Sequence, residues 1–242
     1  MSRTRSLYVN LNKLAQRTDE AGILLRLMMA CNDLSIANSR FGEVRGDPAT
    51  AVGDNIRWGI GMYFLRLQIG HLNEALSIID DLQRHPVLSP MVGACSSHGQ
   101  ESFAKLTDCL EGGSQRKTFV STIMIVRSTS VFHYDDKLIR KALKYRATRP
   151  VRTIVPSVTS SNDIRAVHFG VADVILDTLT SRFIWKAKEE NFHEQIESRL
   201  AFGYDLLRAL LEFSPTFALR RLLADRPNYI WFACNNNHPK KA

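Results

Sequence analysis

The sequence lacks closely spaced cysteines, and this absence argues against two kinds of site. Its four cysteines are scattered along 242 residues, at Cys31, Cys95, Cys109 and Cys234. Structural zinc sites and redox dithiols both need pairs of cysteines a few residues apart, typically as C-x-x-C. We therefore expect reduced thiols, in the core or at the surface.

Long apolar runs are also missing. The N-terminal segment 1–17 alternates charged and apolar residues, unlike the continuous apolar stretch of a secretory signal. Arginines interrupt the most hydrophobic regions, so none reaches the run of about 20 apolar residues that a membrane-spanning helix needs. These arginines are Arg66, Arg127 and Arg182. The sequence predicts a cytoplasmic protein that engages no membrane.

Several signatures of catalysis and nucleotide binding are absent as well. There is no G-x-S-x-G elbow of a serine hydrolase and no G-x-x-x-x-G-K loop of a nucleoside triphosphatase. Strand and helix signals do not alternate, which disfavours a doubly wound nucleotide-binding sheet. No repeat of fixed period occurs, which disfavours a solenoid. We expect no cofactor.

What the chain does contain is a globular composition with an excess of positive charge. Hydrophobic residues make up 45% of the sequence, and 32 Lys and Arg outnumber 24 Asp and Glu, for a net charge of +8. Excess cations attract phosphate-rich partners such as RNA. The same balance is common on solvated surfaces that bind no polyanion, so charge alone does not decide between these alternatives.

Apolar residues recur at three- and four-residue steps over most of the chain, which is the period of amphipathic helices. Segment 118–131 is rich in β-branched residues, but the helical patterns on both sides favour a helix there too. The pattern predicts an all-α fold, an irregular bundle of about six or seven helices. The predicted helices span 19–41, 54–85, 103–110, 118–131, 137–145, 163–185 and 193–213, with a turn-rich helix from Pro215 to Leu223 and loops such as 41–55 between them.

A single helical domain over residues 1–242 is the simplest organisation for this pattern. The stretch 147–162 contains Pro150, Pro156 and a run of serine and threonine. Such a composition is typical of a long crossover or of a joint between two units, and the sequence leaves both alternatives open.

The most suggestive motif is the segment RSTSVFH, in which five residues separate Arg127 from His133. This R-x(4-6)-H arrangement on a helical bundle resembles the signature of the HEPN superfamily. The continuing FHYD and the later HFGVAD at 168–173 look like abortive-infection relatives of that group. The resemblance implies a metal-independent ribonuclease of a toxin or phage-defence system, a site at a homodimer seam and a neutralising partner protein. It carries over only Arg127, as transition-state stabiliser, and His133, as acid-base group.

This pair suits the chemistry of RNA cleavage. Attack by the RNA's own 2′-hydroxyl needs a proton acceptor that titrates near neutrality and a fixed cation beside the phosphorane. However, residues six apart on a straight helix differ by about 240° around its axis, so they share no face. We expect a helix break near Phe132, or a second protomer across a two-fold axis, to bring Arg127 and His133 together.

A structural interpretation of the same motif stands beside the catalytic one. A second match, from Arg66 to His71, occurs in the same chain, so this spacing arises readily in an arginine-rich helical protein. In this interpretation Arg127 extends from the bundle to solvent and His133 is an ordinary helix-end histidine. The chain would then be a non-catalytic helical interaction protein with a basic surface.

A basic helix follows the motif. It carries Arg140, Lys141 and Lys144, with Tyr145 among the charges. Such residues bind RNA when the cations follow its phosphate backbone and the tyrosine stacks on a base. The alternative is a solvated helix face.

A di-iron bundle is the remaining alternative. Glu190 and His193 have the E-x-x-H spacing that places a carboxylate and an imidazole on one helix face in such bundles. A complete site needs a second E-x-x-H and two further glutamates, and the sequence has no second E-x-x-H.

Overall fold

The helices of the protein account for most of the chain that a computed structural model describes, namely residues 5–8, 11–44, 51–131, 135–148, 170–224 and 230–233. Over these ranges the predicted all-α bundle is confirmed. The number of its longer helices agrees with the prediction of about six or seven. None of the helices in the same ranges has the length and apolarity to span a bilayer. The elements are β1 (Arg5–Tyr8), α1 (Leu11–Ala15), α2 (Thr18–Val44), α3 (Ala51–Arg84), α4 (Leu88–Val92), α5 (Ser97–Thr107), α6 (116–131, made of Arg116–Phe119, Val120–Met124 and Arg127–Val131), α7 (Asp136–Ala147), α8 (170–184, made of Gly170–Thr178 and Leu179–Ile184), α9 (Phe192–Ala224) and β2 (Ile230–Ala233).

The core lies where the long helices α2, α3 and α9 pack together. Helices α2 and α3 are antiparallel, because Asn38 contacts Gln68 at one end and Arg26 contacts Asp81 at the other. Each helix turns its apolar stripe inward, and burial of one large apolar side chain contributes about 1.5 to 3 kcal/mol. Fully buried side chains include Leu27, Leu34, Leu72, Ile79, Leu82, Phe213 and Phe217.

Helix α9 is one continuous helix, so the predicted separation into two helices at Pro215 is wrong. A proline inside a helix removes a backbone hydrogen bond and crowds the preceding turn, at a cost of about 3 kcal/mol. Phe213 and Phe217, on either side of it, are fully buried and stack with their ring centroids 5.1 Å apart. Burial of these two rings offsets the cost of the proline and keeps the helix continuous.

Other predicted boundaries shift by a few residues. The loop predicted over 41–55 is wrong at both ends, because α2 continues to Val44 and α3 begins at Ala51, and residues 45–50 lie outside the described residues. The predicted joint at 147–162 lies outside the described residues except for its first two positions, so the single domain stays a prediction. An antiparallel ladder that the sequence did not predict pairs β1 with β2, with Tyr8 opposite Ile230.

The cysteines agree with the expectation of reduced thiols where they are described. Cys95 and Cys109 are buried, Cys31 is half-buried, and all three are free thiols. Desolvation by burial raises the pKa of the Cys109 thiol to about 11, so this group is a thiol and not a thiolate at neutral pH. Cys234 lies outside the described residues.

Candidate functional site

Arg127 lies in the last turn of α6, where the backbone has π-helical hydrogen bonding. Its Nη2 donates a 2.9 Å hydrogen bond to Oε1 of Glu74 on α3. The side chain of Arg127 is 36% exposed and that of Glu74 is 55% exposed, so a ligand in solvent can reach this ion pair. The Nε of Arg127 is buried and has no hydrogen-bond partner within the described part of the chain. The guanidinium is therefore anchored to Glu74 through Nη2, and its exposed part remains within reach of a ligand in solvent.

His133 lies outside the described residues, so its distance from Arg127 stays a prediction. The residues on either side of it, Val131 and Asp135, are at most about 14 Å apart, since four peptide steps join them. Asp135 has a non-helical backbone, with ψ at 106°, and its carboxylate accepts a 3.0 Å hydrogen bond from the amide of Leu138. Asp135 therefore caps the N-terminus of α7, which begins at Asp136.

The centre of α6 is held by side chains that sequence reasoning missed. A π turn takes carbonyls out of the ordinary helical ladder, and a buried carbonyl needs another donor. Trp185 Nε1 donates to the carbonyl of Thr122 at 3.0 Å, and Arg199 Nη1 donates to that of Ser121 at 3.2 Å. Desolvation lowers the pKa of Arg199. These bonds fix α6 against α8 and α9, and thereby the turn that carries Arg127.

Three predicted RNA-binding residues, Arg140, Lys141 and Lys144, are exposed on α7. We call these three residues the basic face. Arg140 Nε pairs with Asp136 Oδ2 at 2.8 Å, but both side chains are more than 70% exposed, and such a pair contributes at most about 1 kcal/mol. Lys141 Nζ lies 4.9 Å from the centroid of the Phe183 ring. All three cations remain accessible to a polyanion.

Tyr145, the fourth predicted RNA-binding residue, is half-buried and packs among other rings. Its ring meets that of Phe183 edge-on, with 5.8 Å between the centroids. Its hydroxyl donates a 3.4 Å hydrogen bond to Glu189. The guanidinium of Arg182 lies 4.1 Å from the Phe192 centroid and 6.0 Å from that of Tyr145. We call Tyr145, Arg182, Phe183 and Phe192 the ring cluster, and it borders the basic face.

Arg146 follows Tyr145 on α7 but is engaged inside the protein. Its Nε donates a 2.7 Å hydrogen bond to the hydroxyl of Thr178 on α8. It also lies near the carboxylate of Asp177, where desolvation raises the pKa while Arg146 and Arg182 lower it. The basic face is therefore exposed, whereas Arg146 joins α7 to α8.

The structure thus brings the basic face and the ring cluster together and places the Arg127 turn one short connection away. No protein-family model, curated protein or solved structure matches this chain. Function is therefore inferred from side-chain geometry and charge.

A polar cluster around Glu212 also escaped sequence reasoning. His98 Nε2 lies 2.9 Å from Glu212 Oε2, and Ser102 donates a 3.2 Å hydrogen bond to the same oxygen. A hydrogen bond from Arg208 is the main cause that lowers the pKa of Glu212. A nucleophilic serine needs a base that touches it and titrates near neutrality. Here a weakly basic carboxylate separates Ser102 from His98, so the cluster joins α5 to α9 and does not form a catalytic triad.

The di-iron alternative loses its geometric premise. Glu190 lies on the turn before α9, whereas His193 lies in the first turn of that helix. The prediction that they share one helix face is therefore wrong, because the helix begins at Phe192, after the glutamate. Across the described ranges, no group of three His, Cys, Asp or Glu side chains lies close enough together to hold a metal ion.

Proposed function

We propose that this protein binds RNA on the basic face of α7 and cleaves it without a metal at a HEPN-like site formed by Arg127 and His133. The observation that carries the proposal is the set of exposed cations on α7 beside the ring cluster, one short connection after the Arg127 turn. Cations bind the RNA backbone and rings bind its bases, so the two together fit RNA better than either alone. For a protein that cleaves RNA in this way, we further propose a role as a toxin or in phage defence, with a partner protein that neutralises it.

The short connection between the Arg127 turn and the basic face supports a single binding site. Val131 and Asp135 are at most about 14 Å apart, and the basic face begins a little over one helical turn after Asp135. An RNA strand a few nucleotides long spans that length. A strand held by Lys141 and Lys144 that runs toward Asp135 is therefore long enough to reach the segment that contains His133.

Removing two cations of the basic face tests the binding step. The double variant Lys141→Ala with Lys144→Ala is expected to bind single-stranded RNA at least about tenfold more weakly at low salt. Its plot of log affinity against log salt concentration should be shallower by about 1.4, because each lost phosphate contact removes about 0.7 from the slope. Fluorescence anisotropy across a salt series measures both quantities.

The matched control is the variant Lys105→Ala with Lys117→Ala, which removes the same charge from exposed positions on α5 and α6. It is expected to keep nearly all of the affinity and the slope of the wild type. Equal losses in the two double variants would mean that net charge, and not the basic face, attracts RNA, and would overturn the proposal.

Glu74 gives a second test, because its carboxylate neutralises Arg127. The variant Glu74→Gln keeps a hydrogen-bond acceptor for Nη2 but removes the negative charge. We expect RNA to bind up to about fivefold more tightly, the factor that corresponds to about 1 kcal/mol for an exposed charge pair. Glu111→Gln, at an exposed position distant in sequence from Arg127, is the control. Weaker binding by Glu74→Gln alone would contradict a phosphate-binding role for Arg127.

A non-catalytic helical interaction protein is the second candidate function. The observation that favours it is an exposed apolar row on α2, where Met29 and Ile36 are the most exposed members. RNA cleavage in EDTA separates the candidates, because an interaction protein leaves RNA intact whether or not it binds it.

A further inference from the structure

The outer face of α2 carries a row of residues at alternating three- and four-residue steps. The row is Gly22, Leu25, Met29, Asn32, Ile36 and Ser39. Its three large apolar members are 44%, 64% and 62% exposed, in chain order. A Cβ added at Gly22 would meet no atom within 4 Å, so a neighbouring helix can approach there. Alternating steps of three and four residues are the a and d positions of a coiled coil, so the row is a second packing face on a helix whose other face is already in the core.

Charges of alternating sign border this row on the side that faces α3. They occur at seven-residue steps and are all exposed: Asp19, Arg26, Asp33 and Arg40. Arg26 lies 2.8 Å from Asp81 and Asp33 lies 3.7 Å from His71, which places these charged residues beside α3. The side chains of Arg26 and Asp33 remain about half exposed, so each has room for another partner. In coiled-coil terms these charges occupy the e positions, which determine the partner and its orientation.

We propose that two copies of this chain associate through this face of α2, with the two helices antiparallel across a two-fold axis. In the symmetric register Leu25 packs against the partner's Ile36, and Met29 packs against the partner's Asn32. The axis repeats both contacts, as an isologous interface requires. The inference does not depend on RNA binding, and this seam differs from the one that the HEPN resemblance implies.

The charges select this register. Here Arg26 faces the partner's Asp33 and Asp19 faces the partner's Arg40, and the two-fold axis repeats each pair, so all of these contacts attract. A shift of one heptad in one direction sets Arg26 against the partner's Arg40 and Asp33 against the partner's Asp33. A shift in the other direction sets Arg26 against the partner's Arg26 and Asp33 against the partner's Asp19. Both shifted registers therefore place like charges together, which is unfavourable.

A parallel pairing gains nothing from the same charges. Parallel coiled coils pair an e position with a g position of the partner. The g positions beside this row are uncharged: Ala21, Met28, Ser35 and Gly42. The charge row therefore favours a second copy in the antiparallel orientation.

Exchanging charges between two variants tests the interface and its register together. Arg26→Glu alone sets carboxylates against each other at two places, and Asp33→Arg alone sets guanidiniums against each other. Each variant is expected to dimerise at least about tenfold more weakly than the wild type, or about 1.4 kcal/mol. In an equimolar mixture, the new carboxylate of one variant faces the new guanidinium of the other, and the unchanged pair also attracts. The mixture should therefore form a heterodimer.

Sedimentation velocity over a wide range of concentrations measures these associations, and circular dichroism checks that each variant is folded. The matched controls are Lys105→Glu and Asp108→Arg, which make the same charge changes outside α2 and should leave dimerisation unchanged. Asn32→Leu should tighten the dimer at least about tenfold, since it replaces a polar side chain opposite Met29 in both symmetric layers. A wild type that stays monomeric, a mixture that fails to associate, or a dimer that neither α2 variant weakens would overturn the proposal.

Discussion

Replacing His133 with alanine is expected to slow RNA cleavage by a factor of about 10² to 10⁴ and to leave RNA binding nearly unchanged. In the proposed reaction the imidazole accepts the proton of the 2′-hydroxyl as its oxygen attacks the phosphorus. The bond from phosphorus to the 5′-oxygen breaks, that oxygen takes up a proton from solvent water, and the imidazolium returns its own proton to the solvent. The products are a 2′,3′-cyclic phosphate and a 5′-hydroxyl, and no metal takes part. An assay in EDTA that identifies both ends therefore tests the chemistry as well as the rate.

The decoy motif in the same chain supplies the matched control. Arg66 and His71 on α3 also fit the R-x(4-6)-H pattern, with four residues between them instead of five, and His71 lies 3.7 Å from Asp33. His71→Ala is expected to cleave RNA at the wild-type rate. Arg127→Ala should lose about as much activity as His133→Ala, because the developing phosphorane charge then lacks its cation. Cleavage by His133→Ala at the rate of His71→Ala would remove His133 from the mechanism.

Binding and cleavage can fail separately, and each failure has its own meaning. Loss of affinity on removing Lys141 and Lys144, together with intact RNA in EDTA, would leave an RNA-binding protein without catalysis. Cleavage that is insensitive to Arg127 and His133 would indicate a different active site on a protein that still binds RNA. Neither outcome bears on the α2 dimer, which sedimentation tests without RNA.

Much of the fold follows from apolar periodicity, and the errors arise where distant contacts override local signals. Helix α3 was predicted over 54–85 and runs from Ala51 to Arg84, because its apolar steps are regular and Pro86 follows. Pro215 is a strong local stop signal that fails, since Phe213 and Phe217 bury their rings on either side of it. The β1–β2 ladder joins residues more than 220 positions apart, and no local sequence pattern predicts such a pairing.

In the candidate site, too, distant contacts decide what the local sequence does not. Lys144 and Arg146 are both cations near the middle of the same basic segment, yet Lys144 is exposed and Arg146 is hydrogen-bonded to Thr178. The bonds that hold α6 join Trp185 to a carbonyl 63 residues earlier and Arg199 to one 78 residues earlier. Sequence reasoning can find cations near a motif, but only the folded chain shows which of them are already engaged.

The ion pair between Glu20 and Arg221 gives the largest expected change in stability. It joins α2 to α9 near the core, and the two side chains are only 15% and 7% exposed. Arg221 Nε donates to Glu20 Oε2 at 2.8 Å, and Nη2 donates to the same oxygen. Glu20→Ala leaves a buried guanidinium without this counter-charge. The free energy of unfolding should fall by about 3 to 5 kcal/mol, as measured by urea denaturation at low protein concentration.

The exposed pair between Arg26 and Asp81 is the matched control, because it also joins α2 to a neighbouring helix. Its side chains are about half exposed, so Asp81→Ala should cost at most about 1 kcal/mol. The combined change Glu20→Leu with Arg221→Met should recover most of the loss, because a buried ion pair stabilises little more than apolar residues of similar size. If Glu20→Ala costs no more than Asp81→Ala, the buried pair is solvated and does not hold α9 against α2. A double variant as unstable as Glu20→Ala would instead show that α2 and α9 need the charges themselves.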